Sequence, residues 1–174
     1  MSQASKQVDW CIKKAQKELG DCEERGLKPK HRGLIVVPSD VQEAKKHLGK
    51  AAHDLRVSEY LVKGEFTDTS VSTLFYAMYQ CFLAISSKFG YESGNQTCTI
   101  SLIEYLIEEN KIAVDKRFVG YFKYETEERI KNSIIEMREQ YTYGSEVKVE
   151  KSKIDFFIKE CKELIDLTKS IIYE

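Results

Sequence analysis

The sequence predicts an all-α protein: an antiparallel up-and-down helical bundle with an additional N-terminal helix. Three observations carry that expectation. The 174 residues include only two prolines, Pro29 and Pro38, and nine glycines, so long stretches contain nothing that forbids a helix. Hydrophobic residues make up 42% of the chain, enough for one sizeable core. Apolar residues also recur at three- and four-residue intervals in successive segments, the period of a helix with one buried face.

The elements follow in order. From about Lys6 to Leu19, Val8, Ile12, Ala15 and Leu19 form one apolar stripe, and Gly20 is the expected stop. Residues 20 to 39 mix charge with Gly26, Pro29, Gly33 and Pro38 and read as a connection with a short extended piece at Leu34 to Val37. The chain therefore divides into residues 1–38, an N-terminal helix with its connecting segment, and residues 39–174, the bundle. Ser39 followed by Gln42 suggests a capping box, and Val41, Ala44, Leu48, Ala51, Leu55, Ser58 and Val62 repeat at helical spacing up to Gly64, a C′ candidate. The next helix runs from about Asp68 to Phe89 and stops at Gly90. Leu74, Ala77, Met78, Cys81, Ala84, Ile85 and Phe89 spread over so much of its circumference that it is expected to be central.

A polar loop, Gly90 to Thr97, leads into a shorter helix with Ile100, Ile103, Leu106 and Ile107, ending near Asn110. A fifth helix is expected over Arg117 to Tyr141 with Phe118, Phe122, Ile130, Ile134, Met137 and Tyr141 inward. The last covers Lys151 to Ile172 with Ile154, Phe157, Cys161, Leu164, Ile165, Thr168 and Ile171 inward.

Charge and cysteine usage narrow the function classes. Lysine plus arginine (27) nearly balances aspartate plus glutamate (28), so the field of the whole molecule gives no strong nonspecific pull on phosphate backbones, and nucleic-acid contact must be local. The local cationic stretch Lys28-Pro29-Lys30-His31-Arg32 reads as a solvated loop or a phosphate contact. Five scattered cysteines without a CxxC pair argue against a disulfide framework or a zinc site, and the expected location is the reducing cytoplasm. No signal-peptide pattern and no membrane-length apolar run are present, the longest such run being Leu34 to Val37. His47 and His53 are six residues apart, not the i, i+4 pair that binds metal, so neither metal nor cofactor is expected.

Several stretches together resemble a known family. They are Ala51-Ala52-His53-Asp54-Leu55 followed by Gly64-Glu65-Phe66, then Ser70 to Tyr79 with its Tyr76-Ala77-Met78 run, and Met137-Arg138-Glu139-Gln140-Tyr141-Thr142-Tyr143. In order and spacing, about Ala44 to Tyr173 resembles the HEPN family of small helical bundles, which are often found with nucleotidyltransferases in prokaryotes. The resemblance implies RNA or nucleotide binding, a homodimer, a nucleotidyltransferase partner and a toxin–antitoxin setting.

Many HEPN proteins are metal-independent ribonucleases in which an Arg is followed, one or two turns on, by a His. Cleavage through the 2′-hydroxyl needs a group that moves protons near neutral pH and a cation for developing phosphate charge. Here Arg138 has no His after it, and Tyr143 falls near the expected place. An unperturbed phenol, with a pKa of about 10, is a poor base at neutral pH.

Gln96 stands where relatives often carry a His before a helix, and Asp54 is expected to orient Arg138 from the neighbouring helix. The expected RNA or nucleotide site is therefore Arg138, Tyr141, Tyr143, Gln96 and Asp54, converging at one end or cleft. The alternatives are a ribonuclease using Arg138 with Tyr143 or Tyr141, and a non-catalytic adaptor bundle. The aromatic run Phe75, Tyr76, Tyr79 and Phe82 reads as core or interface before it reads as a stacking platform.

Overall fold

The computed structural model describes residues 2–124 and 132–174. Ile130, expected inward in the fifth helix, lies outside the described residues. Helix α1, Gln3–Glu24, is capped by Ser2, whose hydroxyl oxygen accepts the Ser5 N–H at 3.1 Å. It runs past the expected stop at Gly20. A helical glycine costs only about 1 kcal/mol against alanine, and the buried residues Ala4, Val8, Cys11 and Ala15 hold the helix to the rest of the molecule.

Strand β1, Leu34–Val36, is the expected extended piece, and it pairs antiparallel with β2, Tyr91–Ser93, placing Leu34 opposite Ser93. The second strand lies within what reads in sequence as a polar loop. Gly90 makes the pairing possible by taking φ +78, and its amide region passes so close to β1 that an added Cβ would sit 2.6 Å from the Val37 carbonyl oxygen.

Helix α2, Val41–Lys63, is capped one residue later than the capping-box pattern suggests. Asp40 Oδ1 accepts the Glu43 N–H at 2.8 Å, while Ser39 donates its hydroxyl to the Lys88 carbonyl at 2.6 Å and so ties the start of α2 to the end of α3. At its end the residue with positive φ is Glu65 (φ 64), not Gly64. Helix α3, Thr67–Lys88, is central, packing against α2, α4, α6 and α7. Leu74, Phe75, Met78, Cys81, Phe82 and Ile85 are buried at its core. The broad apolar circumference read from the sequence is thus covered within one chain, and Tyr76 is the large apolar side chain on α3 left exposed.

Helix α4, Gln96–Glu108, begins inside the expected loop because Asn95 caps it, accepting the Cys98 N–H at 2.8 Å. The single fifth helix expected over Arg117 to Tyr141 is two helices, α5, Lys116–Gly120, and α6, Ile134–Tyr143. Ser133 starts the second by accepting the Glu136 N–H at 3.2 Å, and the Ile134 N–H reaches back to the Tyr121 carbonyl at 2.9 Å, which brings the start of α6 against the end of α5. Helix α7, Lys151–Tyr173, matches expectation, except that Ile172 rather than Ile171 is fully buried.

Among the described residues the result is seven helices and one two-stranded sheet, an all-α bundle. None of the helices is long and apolar enough to cross a membrane. The cysteine reading needs one correction, since Cys11 of α1 and Cys98 of α4 form a disulfide across 87 residues of sequence. The two helices pack side by side and bring the pair to a Cα separation of 5.9 Å, a proximity invisible in the spacing of the cysteines. Cys22, Cys81 and Cys161 remain free thiols, and burial pushes the Cys81 thiol up to about 12.

Candidate functional site

Arg138 lies in the second turn of α6, which packs along α3. Its guanidinium carbon stands 4.3 Å over the centre of the Phe75 ring, and Phe75 is itself fully buried against Phe122. A cation over an aromatic face is attracted by the ring quadrupole. Arg138 Nε is enclosed without a hydrogen-bond partner, and among the described residues no carboxylate lies within ion-pair distance of the side chain. Among the described residues the arginine is positioned by a ring and not by an acid.

Around it, the Tyr76 ring stands edge-on to Phe75 at 5.2 Å and is 47% exposed. One turn beyond Arg138, the Thr142 hydroxyl meets the Ser72 hydroxyl at 2.9 Å, joining α6 to α3. Arg138, Tyr76, Thr142 and Ser72 therefore form a shallow strip offering a cation, an aromatic face and two hydroxyls.

The five residues expected to converge are placed as follows. Tyr141 is half-buried against the core, with its phenol pushed up by burial and by the carboxylates of Glu146 and Glu150. Tyr143 ends α6 and is 80% exposed; at 3.6 residues per turn it projects roughly 140° around the helix from Arg138. Gln96 opens α4, one turn before Thr99, whose hydroxyl bonds to the Tyr79 phenol at 2.9 Å. Tyr79 in turn stacks on Phe75 at 6.2 Å, so packing links the first turn of α4 to the Arg138 ring. Asp54 is buried on α2 and accepts from Lys50 Nζ at 2.6 Å and His53 Nδ1 at 3.0 Å; it makes no hydrogen bond or ion pair with Arg138. The orienting role expected of Asp54 is filled by Phe75.

One polar cluster has no counterpart in the sequence reading. Arg117 of α5 donates Nε to Glu160 of α7 at 2.9 Å, bonds Glu163, and lies 3.2 Å from Asp115, while the buried Tyr121 hydroxyl donates to the same Glu160 oxygen at 2.8 Å. Helical spacing marks Glu160 as close to the buried face of α7, the one available signal, since it precedes Cys161 and follows Phe157 by three residues. A separate groove of about 310 Å³ lies between α2, α3 and β2, lined by Asp40, Glu43, His47 and Glu92 among others. Its carboxylates disfavour an anion. Among the described residues no three His, Cys, Asp or Glu side chains are grouped to hold a metal ion.

No family model and no curated protein matches this sequence.

Proposed function

We propose that the protein is a HEPN-like bundle that binds RNA or a nucleotide along the α3–α6 groove, with Arg138 holding phosphate and Tyr76 offering a face to a base. The observation that carries this reading is Arg138 itself, fixed over Phe75 and matched to no carboxylate among the described residues. A guanidinium binds phosphate oxygens through charge-assisted hydrogen bonds, and an exposed aromatic ring stacks bases of any identity. The hydrogen-bonded Ser72 and Thr142 hydroxyls supply one further donor beside the guanidinium.

Pairing of two copies, a nucleotidyltransferase partner and a toxin–antitoxin setting belong to the same proposal and rest on the resemblance of residues 44–173 to the HEPN family. The cytoplasm as location rests instead on the scattered cysteines without a CxxC pair. The Cys11–Cys98 bond opposes that location, because disulfides are rare in reducing compartments. Alkylation of the protein at the moment of lysis, followed by a thiol count, decides it: two cysteines protected in cytosolic protein would exclude a reduced pair.

Binding, not cleavage, is the proposed activity, since the phenol nearest Arg138 on its own helix, Tyr141, is shifted away from the range where it would accept a proton at neutral pH. The test is titration of a labelled single-stranded RNA and of labelled nucleotides by anisotropy, with wild type and Arg138→Ala. A roughly 10- to 100-fold weaker affinity in the variant supports the reading. Equal affinity of the two proteins refutes it, and RNA degradation in EDTA that requires Arg138 would replace it with a ribonuclease.

A further inference from the structure

Helix α1 carries its apolar residues Ala4, Val8, Cys11 and Ala15 into the core, and so presents one fixed face outward. On that face stands Trp10, the one tryptophan of the chain, 51% exposed. Within roughly 60° of it around the helix lie Lys6, Lys13, Lys14 and Lys17, and beyond them, in the last turns, Asp21 and Glu24, whereas Asp9 falls roughly 100° away. Lys14 Nζ stands 5.1 Å from the indole centre and 4.0 Å from Glu18. Lys6, Lys13 and Lys17 are exposed, and no carboxylate among the described residues lies within ion-pair distance of them.

Apart from the Lys14–Glu18 pair one turn apart, the charge order along α1 runs against the helix dipole. Its lysines, Lys6, Lys13, Lys14 and Lys17, all lie in the first four turns with Asp9, its last turns carry Asp21, Glu23 and Glu24, and it has no acid in the first turn and no base in the last. The macrodipole favours the opposite arrangement. The dipole therefore does not account for the lysines, and Lys6, Lys13 and Lys17 stand open to a ligand carrying negative charge.

The connecting segment adds to the same side. The Arg32 N–H bonds to Glu18, and Lys30, Arg32 and His31 line a depression with Glu18, Asp21 and Cys22 at the C-terminal half of α1. Glu18 is thereby occupied, and cations flank the acidic end. A second shallow depression, about 500 Å³, is lined by Trp10, Lys13, Lys14, Lys17, Glu18 and Asp21.

We infer that the outward face of α1 is a contact surface for single-stranded nucleic acid, in which Trp10 stacks on a base and Lys6, Lys13 and Lys17 hold phosphates. Stacking aromatics combined with a cationic track are how sequence-tolerant single-strand binders work. From Lys6 to Lys17 the helix rises about 16 Å, the length of about five stacked nucleotides. A membrane surface fits less well. A helix lying in a bilayer interface inserts a continuous apolar face, and that face of α1 is already buried in the protein, leaving Trp10 among charged side chains. The inference stands on α1 alone and survives or fails independently of Arg138.

Because Trp10 is the sole tryptophan, its emission reports on the proposed contact directly. The full chain is titrated with a ten-nucleotide single-stranded RNA, and separately with vesicles of phosphatidylserine and phosphatidylcholine. Saturable quenching by the RNA is expected, persisting in Arg138→Ala. In anisotropy with labelled RNA, Trp10→Ala should weaken binding about 5- to 100-fold. The triple change K6Q/K13Q/K17Q should reduce the magnitude of the log–log salt slope by about 2. All these side chains are exposed, and circular dichroism checks that the variants fold. RNA binding with no change in Trp10 emission would overturn the inference while leaving the α3–α6 site standing. A shift in emission with the vesicles and none with RNA would overturn it in favour of a lipid surface.

Discussion

Two arginines of this bundle make the same aromatic contact and differ in everything else. Arg117 stands 4.4 Å over Phe118, and Arg138 stands 4.3 Å over Phe75. Arg117 is saturated by Glu160, Glu163 and Asp115, joins α5 to α7, and has its charge locked further in place by those hydrogen bonds. Arg138 has the ring and no acid among the described residues. A guanidinium already neutralised is a structural clamp. One positioned by a π-face keeps its electrostatic and hydrogen-bonding capacity for a ligand, and that contrast, more than the identity of either residue, separates structure from function here.

The largest effect should come from breaking the saturated partner. Arg117→Ala leaves the buried Glu160 carboxylate with only the Tyr121 hydroxyl as a donor, and stability should fall by about 3 kcal/mol, read as a lowered urea midpoint. Adding Glu160→Gln to that variant should recover part of the loss, because the uncompensated charge is then gone. A loss below about 1 kcal/mol for Arg117→Ala would mean the cluster is solvated in solution and the contrast between the arginines is false.

Arg138→Ala should behave in the opposite way. It forfeits a cation–π contact of about 0.5 to 1 kcal/mol, so the urea midpoint should barely move, whereas RNA or nucleotide affinity should drop about 10- to 100-fold through the loss of charge-assisted hydrogen bonds. A variant that unfolds easily and binds normally would exchange the roles of the two arginines.

How far the sequence discloses this arrangement depends on the range of the interactions involved. The α2, α3 and α7 helices are legible because their apolar period is continuous over five or six turns, and periodicity is a local property. The break between α5 and α6 is not legible, since it is set by the Ser133 cap and the Ile134-to-Tyr121 bond, in a stretch where aromatic spacing suits a continuous helix equally well. The short β1–β2 pair and the Cys11–Cys98 bond join residues far apart in sequence and leave no periodic trace. Arg138 was legible as a residue, but its environment was not. Nothing in the spacing of Asp54 and Phe75 indicates that the buried ring on α3, not the carboxylate on α2, meets the guanidinium.

A smaller effect tests the clamp by pH. Burial raises the Tyr121 phenol first, and the Glu160 carboxylate that accepts its proton raises it further. A raised folded-state value means the folded protein holds this proton more tightly than the unfolded chain. The stabilisation is complete below the unfolded value of about 10 and is lost as pH climbs from there toward the higher folded value. Stability of the wild type should therefore decline above about pH 10. Tyr121→Phe should cost about 1 kcal/mol at pH 8 and decline less steeply, a residual slope remaining from Tyr79, Tyr124 and Tyr141, whose phenols are also raised. Parallel curves for the two proteins would show that Tyr121 is not bound to Glu160 in solution.

The smallest expected effect concerns Tyr143, which sequence position alone puts beside Arg138. Along the chain the two are five residues apart, and the missing histidine of the resembled family would fall about there. On a helix that spacing separates them by roughly 140°, and α6 extends through Tyr143 itself, so its ring points away from the groove that Arg138, Thr142 and Ser72 define. Its 80% exposure means it contributes little to packing. Tyr143→Ala should thus leave both the urea midpoint and RNA affinity within about twofold of wild type, while Tyr76→Ala, at the ring beside Phe75, should weaken binding severalfold by the loss of one stacked base. If Tyr143→Ala instead matches the loss seen for Arg138→Ala, the end of α6 must rearrange on binding to swing the phenol toward the guanidinium. The groove between α3 and α6 would then be only half of the site.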